Sequence, residues 1–262
     1  MNSKPILFSI SNNTAIITLN RPEVYNSVNR ELGLGLISAL QKAEEAEEVR
    51  AILLTGKGKG FCAGQDLTEA LPDDKRSPDF AGIVLTIYNP IIKLLREIEK
   101  PIVAAVNGAA AGAGANIALA ADIVVASSDA VFVQAFSKIG LIPDSGGTYF
   151  LPRLIGFQRA SALMMLGEKI TAEKAKEMGM IYDVYPSELF EGKSIILANK
   201  LASMPTRGLG YTKKLLNKTF SQTLNEQLAD EEKYQVLAGK TEDFIEGVSA
   251  FQQKRKPNFK GK

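Results

Sequence analysis

Few of the side chains that usually run nucleophilic or metal chemistry are present. The 262 residues hold no histidine and one cysteine, Cys62. That excludes Ser-His-Asp and Cys-His pairs, His-ligated metals and any internal disulfide, so no metal site is expected. Carboxylates and backbone amides remain. The carboxylate with the most telling surroundings is Asp144, in Gly140-Leu141-Ile142-Pro143-Asp144-Ser145-Gly146-Gly147-Thr148. Two roles are open to it. It precedes a helix expected over 146–154 and could cap it, a role worth about 1 kcal/mol. In an apolar pocket its carboxyl would instead be desolvated and raised from about 3.9, able to take a proton from carbon and return it elsewhere.

Two turns of small residues each follow an apolar strand: Ala63-Gly64-Gln65-Asp66, and the run from Gly108 to Gly114. Without side chains to shield the N–H groups, such turns let a ligand reach the backbone. If a helix starts at the second, its free N–H groups and dipole favour a developing negative charge. Side by side the turns would form a two-donor oxyanion hole, though close packing of helix on sheet would use the same residues. Neither is a phosphate loop. GxxxxGK[ST] is absent, and Gly112-Ala113-Gly114 lacks the third glycine of GxGxxG.

The elements that must position these segments alternate. Runs 6–11 and 14–19 flank Asn12-Asn13, a hairpin signal. Leu32, Leu36, Ile37, Leu40 and Ala43 recur at helical spacing over 30–48, with Gly33 and Gly35 weakening the first turn. Short apolar runs at 51–55 and 101–106 read as buried strands, and 123–126 and 131–134 as further ones. A helix is expected over 80–99, and an exposed, mobile loop over 71–79, where two prolines and five charges fall. Beyond 146 the pattern is helical apart from 180–185, with Gly179 closing the helix over 171–178. The expected fold class is therefore α/β, with a core over 1–200 and a C-terminal helical region over 201–262.

Composition adds mainly exclusions. A net charge of +2, from 31 basic and 29 acidic residues, gives no general attraction to nucleic acid or membrane. The lysine-rich end, Lys254-Arg255-Lys256 with Lys260 and Lys262, reads as a solvated tail. Residues 101–126 are apolar enough to raise a membrane span, but Asn107, Asn116, Asp122, Pro101 and three glycines argue for strand, turn, helix and strand. With no apolar signal-peptide core at the N-terminus and one thiol, a cytoplasmic location is expected.

Taken in order, the motifs resemble the enoyl-CoA hydratase/isomerase (crotonase) superfamily. They are Asn20-Arg21-Pro22, Phe61 to Leu67, Lys100 to Gly108, Ala121-Asp122-Ile123, Gly140 to Pro143, Gly146-Gly147-Thr148, Leu151-Pro152-Arg153 and Glu246 to Phe251. The resemblance spans nearly the whole chain. It implies a spiral of ββα units and C-terminal helices that build a trimer or a dimer of trimers and cover the active site. It also implies an acyl-CoA substrate and no separate cofactor, CoA entering as part of the substrate. By the same resemblance the oxyanion donors are the N–H groups of Gln65 and Ala113. The thioester would lie along Ala63, Gln65, Asp66, Leu67, Thr68 and Ala113, with Lys254 a candidate for the CoA phosphates. Hydratases of the superfamily carry two glutamates at positions matching Asn116 and Phe136, and both acids are missing here. Asp144 falls where isomerases of the superfamily carry an aspartate. The run from Ala135 to Asp144, Tyr88-Asn89-Pro90 and Leu237-Ala238-Gly239 look most like the branch that isomerises a ring epoxide. The activity implied is conversion of 1,2-epoxyphenylacetyl-CoA to oxepin-CoA, with Asp144 as the catalytic residue and enoyl-CoA double-bond shifts alongside. A general Δ3,Δ2-enoyl-CoA isomerase, a hydratase, and a non-catalytic CoA- or RNA-binding member are the alternatives.

Overall fold

The alternating runs before residue 20 form the expected hairpin. Strands β1 (Ile6–Ser11) and β2 (Thr14–Leu19) pair antiparallel through Asn12 and Asn13, at φ 49° and 60°, as a primed two-residue turn requires. The computed structural model describes residues 4–70 and 79–262. The loop expected over 71–79 lies outside these apart from Asp79.

The strands continue as β3 (Ala51–Gly56), β4 (Gly60–Cys62), β5 (Ile102–Val106), β6 (Ala109–Ala111), β7 (Ile123–Ser127), β8 (Val131–Val133), β9 (Lys169–Thr171) and β10 (Asp183–Tyr185). The helices are α1 (Arg30–Glu45), α2 (Leu67–Ala70), α3 (Phe80–Ile83), α4 (Asn89–Glu97), α5 (Ala113–Leu119), α6 (Gly147–Ile155), α7 (Phe157–Leu166), α8 (Ala172–Glu177), α9 (Phe190–Ala202), α10 (Thr206–Lys218), α11 (Leu224–Ala238) and α12 (Glu242–Gln252).

Among the described residues two sheets result, ordered β1-β2-β3-β5-β7-β10 and β4-β6-β8-β9. Each of β3, β5 and β7 in the large sheet is followed within a few residues by β4, β6 or β8 in the small one. The same step repeated three times, with helices between, winds the chain as a spiral of strand pairs. The three-residue β4 immediately precedes the turn at 63–66, and the three-residue β6 lies within the run at 108–114, which a turn assignment alone does not anticipate. Strand β9, in the region expected to be helical, adds to β8.

Packing accounts for several local features. Helix α1 runs through Gly33, where a Cβ would come within 2.3 Å of Ile87 Cγ2, so this glycine serves close approach of two helices. The expected helix over 80–99 is interrupted by a π segment at Val84–Tyr88, in which the Asn89 N–H bonds to Val84 O. Pro90 has no N–H, which removes one rung of the ladder just past this segment. The buried strands β5 and β7 share one core with α1 and α4 and another with α9. Asp122 joins α10 to this body, pairing with Arg96 at 3.1 Å and Lys213 at 2.9 Å and accepting from the Ile102 N–H. Among the described residues no helix is long and apolar enough to cross a membrane, and 101–126 resolve into strands and the short α5 as expected.

The C-terminal tail departs from the solvated reading. Its lysine side chains are exposed, but the Lys260 and Gly261 N–H groups donate to Asp243, and Arg50 Nη1 donates to Phe259 O. Arg255 pairs with Glu246. The buried Asp243 carboxylate at the start of α12 is what turns a charge run into a docked segment.

Candidate active site

The two turns meet. A Cβ placed on Gly64, at φ 89°, would lie 2.9 Å from Ala111 O and 3.5 Å from Ala113 N. Only a glycine lets the first turn pass so close to the second. Beside it, Gln65 forms a parallel bridge with Val28 that uses Gly64 O and Asp66 N, which turns the Gln65 N–H away from Val28. Ala113 is the first residue of α5, ahead of the helical ladder, so its N–H is also left for another acceptor.

A cavity of about 200 Å3 opens on these turns. Ala63, Gln65, Leu67, Ala113 and Asp144 line it, so the structure brings together most of the residues singled out in the sequence. Phe80, Ile83, Val84, Tyr88, Phe136 and Leu141 make much of the remaining wall apolar, and Lys138 also lines it. Among the described residues that line it, Asp144 is the one carboxylate. Thr68 and the Asp66 side chain stand beside the cavity rather than in its wall. Asp66 accepts from Arg21 Nη1 at 2.9 Å and from the Thr68 hydroxyl at 2.7 Å. Burial alone would raise its carboxyl, but the hydrogen bonds from Thr68 and Arg21, and the guanidinium charge, hold it below the ordinary aspartate value.

Asp144 is in the opposite situation. Helix α6 starts at Gly147, and Gly146, at φ 72°, holds the N-cap position without a side-chain cap, so the capping role is not the one Asp144 takes. Among the described residues the Ser145 hydroxyl, at 2.9 Å, is the one side chain that donates to its carboxylate. Burial pushes its pKa up, opposed by that hydroxyl and by its own backbone N–H. A carboxylate so placed is a better base than a solvated one, and once protonated a competent acid.

Sequence reasoning passed over the chemical part of Tyr88. Its buried hydroxyl donates to Gln65 Oε1 at 2.8 Å, tying down a cavity-lining residue of the first turn. Burial, with Cys62 and Asp144 nearby, raises its pKa, so it remains a neutral donor. Pro90, two residues on in an otherwise helical run, was the available signal of a distorted turn. Phe136 lies over the second turn, its Cζ 3.6 Å from where a Gly112 Cβ would be. Cys62 is buried and pushed up to about 12, which rules out a thiolate nucleophile near neutral pH. Among the described residues no three His, Cys, Asp or Glu side chains gather as metal ligands. Lys254, at φ 53°, follows α12 and is not part of the cavity wall.

The sequence model described as enoyl-CoA hydratase/isomerase matches residues 9–262. The chain is 47% identical over 258 residues to the 1,2-epoxyphenylacetyl-CoA isomerase of Escherichia coli (strain K12), covering 98% of each. It is 43% identical over 262 residues to a protein of Rhodobacter capsulatus named probable enoyl-CoA hydratase, covering 100% of each. The crystal structure of an enoyl-CoA hydratase from Polaromonas sp. JS666 superposes with a TM-score of 0.89 at 35% identity, over 97% of this chain and 99% of that one.

Proposed function

The chain belongs to the enoyl-CoA hydratase/isomerase family, and from that premise we propose that it is an acyl-CoA isomerase with Asp144 as its single proton carrier. The observation that carries this reading is the desolvated Asp144 carboxylate, alone of its kind in the described wall of a cavity bounded by two free backbone amides. Adding water across a double bond needs one group to activate the water and another to protonate carbon. An isomerase needs one group that takes a proton and gives it back. Asn116 and Phe136, at the positions where the resemblance leads one to expect acids, favour the second chemistry.

The mechanism follows from the layout. The thioester oxygen accepts from the Gln65 and Ala113 N–H groups. Asp144 removes a proton from the carbon next to the thioester, and the electron pair moves onto that oxygen as an enolate. Losing one such donor typically costs about 2.7–4 kcal/mol of transition-state stabilisation. The protonated Asp144 then delivers the proton farther along the conjugated system, so the double bond moves and the carboxylate is regenerated. In 1,2-epoxyphenylacetyl-CoA the same transfer, with the epoxide ring expanding, leads to the oxepin-CoA. The aromatic and aliphatic wall of Phe80, Tyr88, Phe136 and Leu141 suits such a compact ring, and the 47% identity to an isomerase of that substrate supports it.

A general Δ3,Δ2-enoyl-CoA isomerase is the second reading, since the same lone carboxylate would serve it. The exposed Phe244, Ile245 and Phe251 of α12 support self-association through the helices after residue 200, as a trimer or dimer of trimers, and a cytoplasmic location fits a CoA-dependent reaction. Comparison of kcat/KM on the aryl epoxide, on a 3-enoyl-CoA and for hydration of a 2-enoyl-CoA, with products identified by mass spectrometry, tests the assignment. The epoxide is expected to be the best substrate; dominant hydration would overturn the isomerase reading.

A further inference from the structure

The Asp144 peptide is held by a buried polar chain that no catalytic step requires. Asn116, fully buried on α5, donates from Nδ2 to the Asp144 main-chain oxygen at 2.9 Å. The Gly147 N–H donates to the same oxygen, also at 2.9 Å. A carbonyl oxygen can be met only by donors, so an amide at 116 attracts this peptide where a carboxylate would repel it. The fit leaves no slack: a Cβ on Gly147 would sit 2.3 Å from Asn116 Nδ2. Behind Asn116, Gln134 at the end of β8 donates from Nε2 to Asn116 Oδ1 at 2.8 Å. The buried Gln134 Oε1 has no partner among the described residues, so its bond to Asn116 is what its side chain contributes.

Asn116 lies three residues after Ala113 on the same short helix. One rigid element thus presents an amide to the thioester oxygen at its first residue and grips the Asp144 peptide one turn later. We propose that Asn116, braced by Gln134, is a positioning residue that sets the separation between the oxyanion donors and the Asp144 carboxylate. The inference rests on Asp144 being the proton carrier. It concerns proton transfer and not substrate affinity, because Asn116 is absent from the described cavity wall. Two donors on one carbonyl fix the plane of the Asp144 peptide and hence the direction of its side chain, which otherwise meets the Ser145 hydroxyl and its own backbone N–H.

The test is steady-state isomerisation of trans-3-hexenoyl-CoA by Asn116→Leu, Gln134→Leu, the double variant and Asp144→Asn, each first checked by thermal melting. Asn116→Leu is expected to lower kcat about 10- to 100-fold, the scale of an ångström-sized misplacement, with KM within about threefold of the parent. Gln134→Leu should cost less, about 3- to 10-fold in kcat, and the double variant no more than Asn116→Leu, because the two act through one contact. A folded Asn116→Leu with kcat within about twofold of the parent, or with a KM rise that matches the loss, overturns the proposal. If Asn116→Leu does not fold, Gln134→Leu decides on the same criteria. Should Asp144→Asn keep full turnover, the proton-carrier reading itself fails. Should it be inactive while Asn116→Leu is not, only the positioning role fails.

Discussion

Asp144 lines the cavity and Asp66 stands beside it, and the two differ in almost every respect that sets a carboxylate's chemistry. Asp66 closes the first small-residue turn and is enclosed by donors from Arg21 and Thr68. Its charge is compensated, its pKa held down, and its lone pairs occupied. Asp144 shares the cavity wall with Tyr88, Phe136 and Leu141 and keeps one hydroxyl partner. Its charge is poorly compensated and its pKa raised. The contrast teaches that identity of residue type decides little: the donors around Asp66 make a structural anchor, and their scarcity around Asp144 makes a base.

The largest expected effect separates the two by activity. Asp144→Asn should lower kcat for isomerisation by about 10²- to 10⁴-fold, the usual contribution of a positioned acid–base group, with little change in KM. Asp66→Asn should leave kcat much closer to the parent, because Asp66 is not among the residues that line the cavity. Steady-state assays of both variants on one enoyl-CoA check this.

The sequence made Asp144 legible for particular reasons. With no histidine, few groups could carry protons, and the run from Gly140 to Gly147 isolates one acid among apolar residues. The large sheet was legible because β3 and β5 are uniformly apolar runs. Three-residue strands such as β4 and β6 are shorter than any periodicity can reveal, so the small sheet was not. The bond from Tyr88 to Gln65 joins segments 23 residues apart, and the π segment that carries Tyr88 depends on a missing N–H at Pro90 rather than on pattern. The docked tail escaped for a similar reason, since the Asp243 carboxylate binds backbone amides that leave no mark in side-chain composition.

Stability should move in opposite directions at the two aspartates. A carboxyl whose folded pKa is raised stabilises the fold only while protonated, and that contribution is lost as pH rises through the folded value. Near neutral pH the ionised Asp144 is a cost, so Asp144→Asn is expected to raise Tm, with the gain vanishing in acid. A carboxyl whose folded pKa is lowered stabilises above its unfolded value and loses this as pH falls through the folded one. Asp66→Asn, which disrupts hydrogen bonds from Arg21 and Thr68, should therefore cost about 1–3 kcal/mol near neutral pH and less in acid. At this chain length about 1 kcal/mol corresponds to roughly 2–4 °C, so melting curves at several pH values resolve both signs.

The smallest effect sharpens the first turn. Tyr88→Phe removes the hydrogen bond to Gln65 and leaves the apolar wall in place, so kcat/KM should fall roughly 2- to 10-fold, in line with the loss of about 0.5–1.5 kcal/mol. A steady-state comparison with parent enzyme reads it, and an unchanged kcat/KM would mean that the Gln65 amide is held by its bridge to Val28 alone.

The claim that an apolar cavity turns Asp144 into the proton carrier is tested most directly by carboxyl titration beside activity. Protein labelled with 13C at the aspartate carboxyls, with Asp66 and Asp144 assigned from their Asn variants, would be titrated while kcat/KM is measured over the same pH range. The account predicts that Asp144 titrates above the ordinary aspartate value and Asp66 below it, and that the acid limb of kcat/KM follows Asp144. An Asp144 that titrates at or below the ordinary value, or an acid limb that follows another group, would contradict it.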